Sequence, residues 1–143
     1  AERIDVFTQI RSDIQFRMGT SHAAECKAKQ NGAPLYLYYF TWKSPAFGGI
    51  LGASHTLEIP FVFGNTDLTP EIIGGAPDRH EVSRRAMAYW VNFARTGNPN
   101  GGSLPNWPAY SLTERKTMLL DRVCRAASDP RGAERKLSAA FYR

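Results

Sequence analysis

Apolar residues recur along this chain in several rhythms, and each predicts a different element. Ile4, Phe7, Ile10, Ile14 and Met18 fall at helical spacing, with Arg3, Asp13 and Arg17 between them. That pattern predicts an amphipathic helix stopped by Gly19. Ser21 is placed to cap a second helix over 22–30, which Asn31-Gly32 ends. The run Leu35-Tyr36-Leu37-Tyr38-Tyr39-Phe40-Thr41 is apolar and aromatic without a gap. It predicts a strand over 35–41 buried on both faces, as in parallel sheets, and such a strand needs a neighbour on each side.

Residues 42–54 predict a long loop, rich in glycine and leading into His55. Loops of that length inside compact domains are usually functional or mobile. Ile59-Pro60-Phe61-Val62-Phe63-Gly64 is a short buried piece, either a strand or a helical turn. The clearest helix covers 79–96, where Val82, Ala86, Tyr89, Trp90 and Phe93 form one stripe. Asp78 and Glu81 match a capping box, Gly97 closes the helix and Pro99 prevents its continuation. A Gly/Pro/Asn-rich loop leads to Trp107-Pro108. A short strand is expected at 117–121, and Asp129-Pro130 opens a small terminal helix with Leu137 and Phe141 on one side. There are no internal repeats.

Composition adds limits to this picture. A chain of 143 residues with 43% hydrophobic and 12% aromatic content can bury a core and is not expected to be disordered. No apolar run approaches the ~20 residues of a membrane-spanning helix, so no membrane partner is expected. The net charge of +5 is spread over scattered pairs such as Arg84-Arg85, Arg115-Lys116 and Arg135-Lys136. These read as a solvated face, and no nucleic-acid partner is expected. Tight heparin retention with a steep salt dependence would mark the opposite case. Cys26 and Cys124 make no disulfide framework and no Cys-x-x-Cys pair. Free thiols are the expectation, and a bridge stays open for an exported protein. No compartment follows from the sequence.

The three histidines differ in setting. His22 lies in a polar, alanine-rich helical stretch, and His80 lies in the first turn of a helix; both read as surface residues. His55 follows a buried strand and a glycine-rich loop, where active-site residues of α/β sheets gather. That context alone leaves a functional and a structural histidine both open. His22 with Glu25, and His55 with Glu58, are spaced as two ligands one helical turn apart, but further ligands are not evident. No metal or other cofactor is expected.

A complete hydrolase within the chain is disfavoured by the missing nucleophile elbow. Gly-x-Ser-x-Gly puts the serine on a strained turn from strand to helix, where larger side chains would clash. Gly19-Thr20-Ser21-His22-Ala23 follows a helix, and Gly52-Ala53-Ser54-His55-Thr56 ends in threonine. Ser54 and His55 are also sequence neighbours, whose side chains diverge in extended backbone. In hydrolases of this kind the triad runs serine, acid, histidine. A chain holding only the last member would be a C-terminal piece.

Pro34-Leu35-Tyr36-Leu37-Tyr38-Tyr39-Phe40 and the stretch Gly52-Ala53-Ser54-His55-Thr56-Leu57-Glu58-Ile59-Pro60-Phe61-Val62-Phe63-Gly64 resemble the type-B carboxylesterases. So do Tyr89-Trp90-Val91-Asn92-Phe93-Ala94-Arg95-Thr96-Gly97-Asn98-Pro99-Asn100 and Trp107-Pro108-Ala109-Tyr110, in the same order. That family includes bacterial para-nitrobenzyl esterases and, more distantly, cholinesterases. The resemblance implies an α/β fold: residues 1–143 would form the C-terminal portion of an α/β-hydrolase catalytic domain, incomplete as a single unit. It implies that His55 is the catalytic histidine of a serine carboxylic-ester hydrolase, with a small carboxylic ester as substrate. Thr56 stands where the family commonly has glycine. Glu58 matches a family position and reads as structural or orienting. None of Glu2, Asp5, Asp13 and Glu25 matches the triad acid. The family's disulfides do not carry over to Cys26 and Cys124. Trp42, Phe47 and Leu57 are candidates for pocket lining or core. The expected partner is the N-terminal remainder of the enzyme, whose frame upstream of Ala1 should encode Gly-x-Ser-x-Gly. The isolated chain is expected to be inactive, and to self-associate or pair with that remainder through the unpaired edges of its buried strand. The rival class is a non-catalytic esterase-like binding module.

Overall fold

A computed structural model describes residues 2–141, with side chains from residue 6 onward. Glu2, Arg3, Ile4 and Asp5, named above in the first helix or among the acids, therefore lie outside the described side chains. The elements, in order, are α1 (Glu2–Ser12), a π-helical turn (Asp13–Arg17), α2 (Met18–Lys29), β1 (Leu37–Phe40) and α3 (Ile59–Val62). They continue with α4 (Pro70–Ile73), α5 (Arg79–Thr96), β2 (Lys116–Leu120), β3 (Arg125–Ser128) and α6 (Gly132–Ala139). Short 3₁₀ turns lie at Ala46–Gly49 and Thr66–Leu68. The three strands form one sheet in the order β1-β2-β3. The chain divides into two compact units, one of Ala1–Leu37, Ala109–Lys116 and Ser128–Arg143, the other of Tyr38–Pro108 and Thr117–Ala127.

In the first unit Gly19 does not stop the helix. The backbone stays helical from α1 through the π turn into α2. Glycine mid-helix costs only about 0.5–1 kcal/mol, which helical bonding on both sides outweighs. The Met18 amide bonds to the Asp13 carbonyl, five residues back, as a π turn requires. One inserted residue rotates everything beyond it by about 100° relative to α1. The predicted stripe is therefore divided: Phe7, Ile10 and Ile14 are exposed while Met18 is buried. Asp13, expected on the polar side, is 3% exposed. Its carboxylate takes two 2.7 Å bonds from Arg17 and lies 3.6 Å from the Arg131 guanidinium. Arg17 in turn donates to the Arg131 carbonyl at 3.1 Å. Breaking a buried ion pair by removing one partner typically costs about 3–5 kcal/mol, because an uncompensated charge stays behind. Asp13 thus ties the π turn to the start of α6. In the same unit Arg115 joins Glu25 at 2.7 Å to the Tyr110 hydroxyl at 2.9 Å, and Arg135 grips Asp129 with two bonds of 2.8 and 2.9 Å. Leu137 and Phe141 are both exposed.

The second unit holds the larger aromatic core. Phe61 is fully buried, with ring centroids 5.2 Å from Phe40 and 4.8 Å from Trp42. Tyr89 and Trp107 meet edge to face at 5.2 Å. Helix α5 supplies Val82, Ala86 and Tyr89 to this core, as its stripe predicts, while Phe93 at the far end is exposed. Gly97 caps it in the left-handed conformation, its amide bonded to the Phe93 carbonyl at 2.8 Å.

Two expectations change here, and one open alternative is resolved. The strand predicted over 35–41 covers only Leu37–Phe40, and of its residues Phe40 alone is buried. Among the described residues β1 lies at the edge of the sheet beside β2, so in this chain it is half-covered, with the unpaired edge expected of the strand taken alone. The Asp78–Glu81 capping box does not form: Asp78 makes no side-chain cap bond. Its carboxylate accepts from the Trp42 indole at 3.0 Å and from Arg122, and Glu81 pairs with Arg84 and Arg85. Trp42 and Arg122 from elsewhere in the fold take the Asp78 carboxylate, and Arg84 and Arg85 one turn along α5 take that of Glu81, in place of the amides at the helix start. Finally, residues 59–62 resolve as a helical turn, with Pro60 at its start, where a missing amide costs nothing.

Candidate active site

His55 lies on an exposed turn between the loop after β1 and helix α3. That loop is folded back on itself by an antiparallel bridge between Ser44 and Gly52. Ser44 is buried and its hydroxyl donates to the Ile72 carbonyl at 2.6 Å, which fastens the loop to α4. Beyond His55 the chain turns at once into helix: the Leu57 amide bonds to the Ser54 carbonyl, Ile59 to Thr56, and both Phe61 and Val62 to Glu58. Leu57, Pro60 and Phe61 are buried on the core side of this turn, and the Ser83 hydroxyl of α5 holds the Phe61 carbonyl at 2.8 Å. The turn is thus seated by apolar anchors while His55 itself is exposed.

The turn carries local strain. Thr56 has φ +72°, in the left-handed region. For a β-branched residue that conformation is an outlier, costing roughly 1–2 kcal/mol. Glycine would take it freely, so the glycine expected at this position from the family resemblance has a physical reason. Threonine keeps the same backbone and turns its hydroxyl onto the His55 carbonyl at 2.5 Å. Gly64, just beyond α3, has φ +70°, a left-handed conformation that favours glycine, while the side chain a Cβ would meet is the flexible end of Met87.

Glu58 is half-buried, and the Tyr38 hydroxyl on β1 donates to its Oε1 at 3.4 Å. Burial, the Glu58 charge and this hydrogen bond push the Tyr38 phenol up to about 12. Asp78 behaves in the opposite way. Burial pushes its carboxyl upward, but the bonds from Trp42 and Arg122 prevail and hold it below the usual carboxylate range. Neither pairing was visible in the sequence, because each joins residues at least 20 positions apart.

Of the three residues named as pocket or core, Trp42 and Leu57 are core, each 1% exposed, whereas Phe47 is 69% exposed. Phe47 sits in a kinked 3₁₀ turn with φ +51°. His22 is exposed, 3.6 Å from the Cys26 sulfur, and His80 is exposed, 3.6 Å from Asp67. Cys26 and Cys124 are free. Among the described residues no three His, Cys, Asp or Glu side chains gather where a metal ion could be held, and no helix is long and apolar enough to cross a membrane. Ser21 lies inside α2 and Ser54 lies just before the turn, so neither stands on a strand-to-helix elbow.

What the site offers chemically is an accessible imidazole on a supported turn, suited to taking and giving protons. Comparison with known proteins supplies its context. The family model described as "Carboxylesterase family" matches residues 1–137. The chain therefore belongs to the carboxylesterase family. Its solved neighbours are α/β-hydrolase esterases, and its fold is a portion of that architecture. A carboxylesterase of Geobacillus stearothermophilus, EST55, shares 34% identity with a TM-score of 0.76, over 91% of this chain and 27% of the other. Among curated relatives, carboxylesterase 5A of Felis catus is 43% identical over 78% of this chain and 22% of its own length. The para-nitrobenzyl esterase of Bacillus subtilis is 34% identical over 79% of this chain and 23% of its own length. The chain thus spans less than a quarter of these curated relatives.

Proposed function

We propose that this chain supplies the catalytic histidine, His55, of a serine carboxylic-ester hydrolase, and that it works together with an N-terminal remainder carrying the serine, the acid and the oxyanion hole. The observation that carries the reading is the placement of His55: an exposed imidazole on a buttressed turn, within the region matched to the carboxylesterase family.

The chemistry follows from what an imidazole can do. The serine hydroxyl attacks the ester carbonyl while His55 takes its proton. The resulting imidazolium gives that proton to the departing alcohol, leaving an acyl-enzyme. Water then replaces the alcohol, His55 takes a proton from it, and the carboxylic acid and free serine are released. Without nucleophile, acid and oxyanion donors the imidazole has nothing to activate; loss of an oxyanion donor alone typically costs ~10²–10³ in rate. The chain by itself is therefore inactive. Phe47, Ile50, Phe63 and Leu68 are exposed on the second unit, and exposed apolar surface of this kind supports association with the remainder or between copies of the isolated chain.

The test is hydrolysis of a short-chain nitrophenyl ester by the whole protein. His55→Ala abolishes it on this reading. Full activity in that variant refutes the role, and an inactive whole protein favours a non-catalytic esterase-like binding module.

A further inference from the structure

We propose that Tyr38 is a positioning residue for the histidine turn: its hydroxyl, on a ring seated against the indoles of Trp90 and Trp107, holds Glu58 and through it the backbone that presents His55. The proposal rests on the reading of His55 as the catalytic base.

Three observations support it. The first is strain. Thr56 holds a left-handed backbone that β-branched residues avoid, and it directly follows His55. Such a conformation persists only where the surroundings over-determine it. The second is the position of Glu58. It follows His55 by three residues, and its carbonyl accepts the amides of both Phe61 and Val62, so it joins the turn to helix α3. Apolar anchors hold the residues beside it, Leu57 and Pro60, on the core side. Tyr38 adds a polar hold from the sheet, at 3.4 Å. That is long for an O–H···O bond, for which about 2.7–2.8 Å is usual. The third is the rigidity of the donor. The Tyr38 ring meets Trp90 edge to face at 5.1 Å and Trp107 at 6.3 Å. Its phenol is pushed up to about 12, so it remains a donor throughout the range in which an esterase is assayed.

Tyr38 need not touch substrate for this to matter. A proton-transferring imidazole must lie within hydrogen-bond reach of the attacking oxygen, and a misplacement of 1 Å can cost ~10²-fold in rate. Loosening one of several holds on the turn is expected to cost less, on the order of ten-fold.

The experiment uses the whole esterase and a short-chain nitrophenyl ester. Tyr38→Phe keeps the ring and its edge contacts but removes the donor. The expected result is a fall in kcat on the order of ten-fold with KM within about two-fold, and no comparable loss of thermal stability. Glu58→Gln keeps a carbonyl acceptor and is expected to retain kcat within about three-fold, whereas Glu58→Leu falls as far as Tyr38→Phe. An unchanged kcat in Tyr38→Phe overturns the proposal. So does a Glu58→Gln enzyme as impaired as Glu58→Leu, since the charge and not the hold would then be what matters. Full activity in His55→Ala removes the reading beneath the proposal; an inactive His55→Ala enzyme beside an unaffected Tyr38→Phe enzyme overturns the proposal alone.

Discussion

Phe61 joins the core to the histidine turn, and replacing it with alanine measures how firmly the two are connected. The side chain is fully buried, its ring packs on Phe40 and Trp42, and its own carbonyl is held by Ser83. Burying an aromatic side chain removes roughly 150–250 Å² from water. At about 25 cal/mol per Å² that is ~4–6 kcal/mol, an upper bound because the unfolded chain already hides part of it. The retained β-carbon lowers the figure, and measured Phe→Ala changes in cores cost about 3–5 kcal/mol. A loss near 4 kcal/mol approaches the whole stability of many domains, about 5–15 kcal/mol. Phe61→Leu keeps most of the apolar volume while losing the ring contacts, and is expected to cost about 1–2 kcal/mol. The assay is urea unfolding followed by tryptophan fluorescence, with Trp42 reporting from 4.8 Å away. With a urea slope of about 1–3 kcal/mol/M, the leucine variant should unfold at a midpoint lower by roughly 0.3–2 M, and the alanine variant about twice as far down. A change below about 0.5 kcal/mol in Phe61→Ala would show that this cluster can be emptied without cost, and would refute the argument that it seats the turn.

Two further predictions concern the turn and the first unit. Thr56→Gly relieves the left-handed strain of roughly 1–2 kcal/mol but adds a glycine entropy cost of about 0.5–1 kcal/mol, so a net gain of up to ~1.5 kcal/mol is expected; thermal melting should rise by up to about 5 °C, and a clear fall would contradict the strain reading. Asp129, held below the usual carboxylate range chiefly by its bonds to Arg135, contributes stability that is complete above the unfolded value of about 3.9 and is lost as pH falls through its lower folded value. Asp129→Asn should therefore be less stable than the parent at pH 6 and converge with it well below pH 4, and a gap of constant size across urea midpoints at both pH values would count against this pairing.

Local pattern carried much of this protein. The stripe of Val82, Ala86 and Tyr89 and the Gly97 stop specify α5 from within, because helical periodicity and the left-handed cap are properties of neighbouring residues. The ordered motifs around Tyr38, His55 and Trp90 were enough to point to the carboxylesterase family, which the match over residues 1–137 establishes. The loop before His55 marks it in the sequence as a candidate, though that context alone fits a structural histidine as well.

What the sequence could not decide depends on residues distant in the chain. Gly19 is a plausible stop until the π turn and the buried Asp13–Arg17–Arg131 cluster are seen to carry the helix past it. Asp78 is a plausible cap until Trp42 and Arg122 take its carboxylate. Thr56 is an ordinary residue until its backbone is seen in the left-handed region, and Tyr38 is one aromatic among several until it meets Glu58. Periodicity encodes which side of an element is apolar. Only tertiary packing decides which polar groups lose their water and must find each other, since the cost of leaving one unpaired is set by burial and not by its neighbours in sequence.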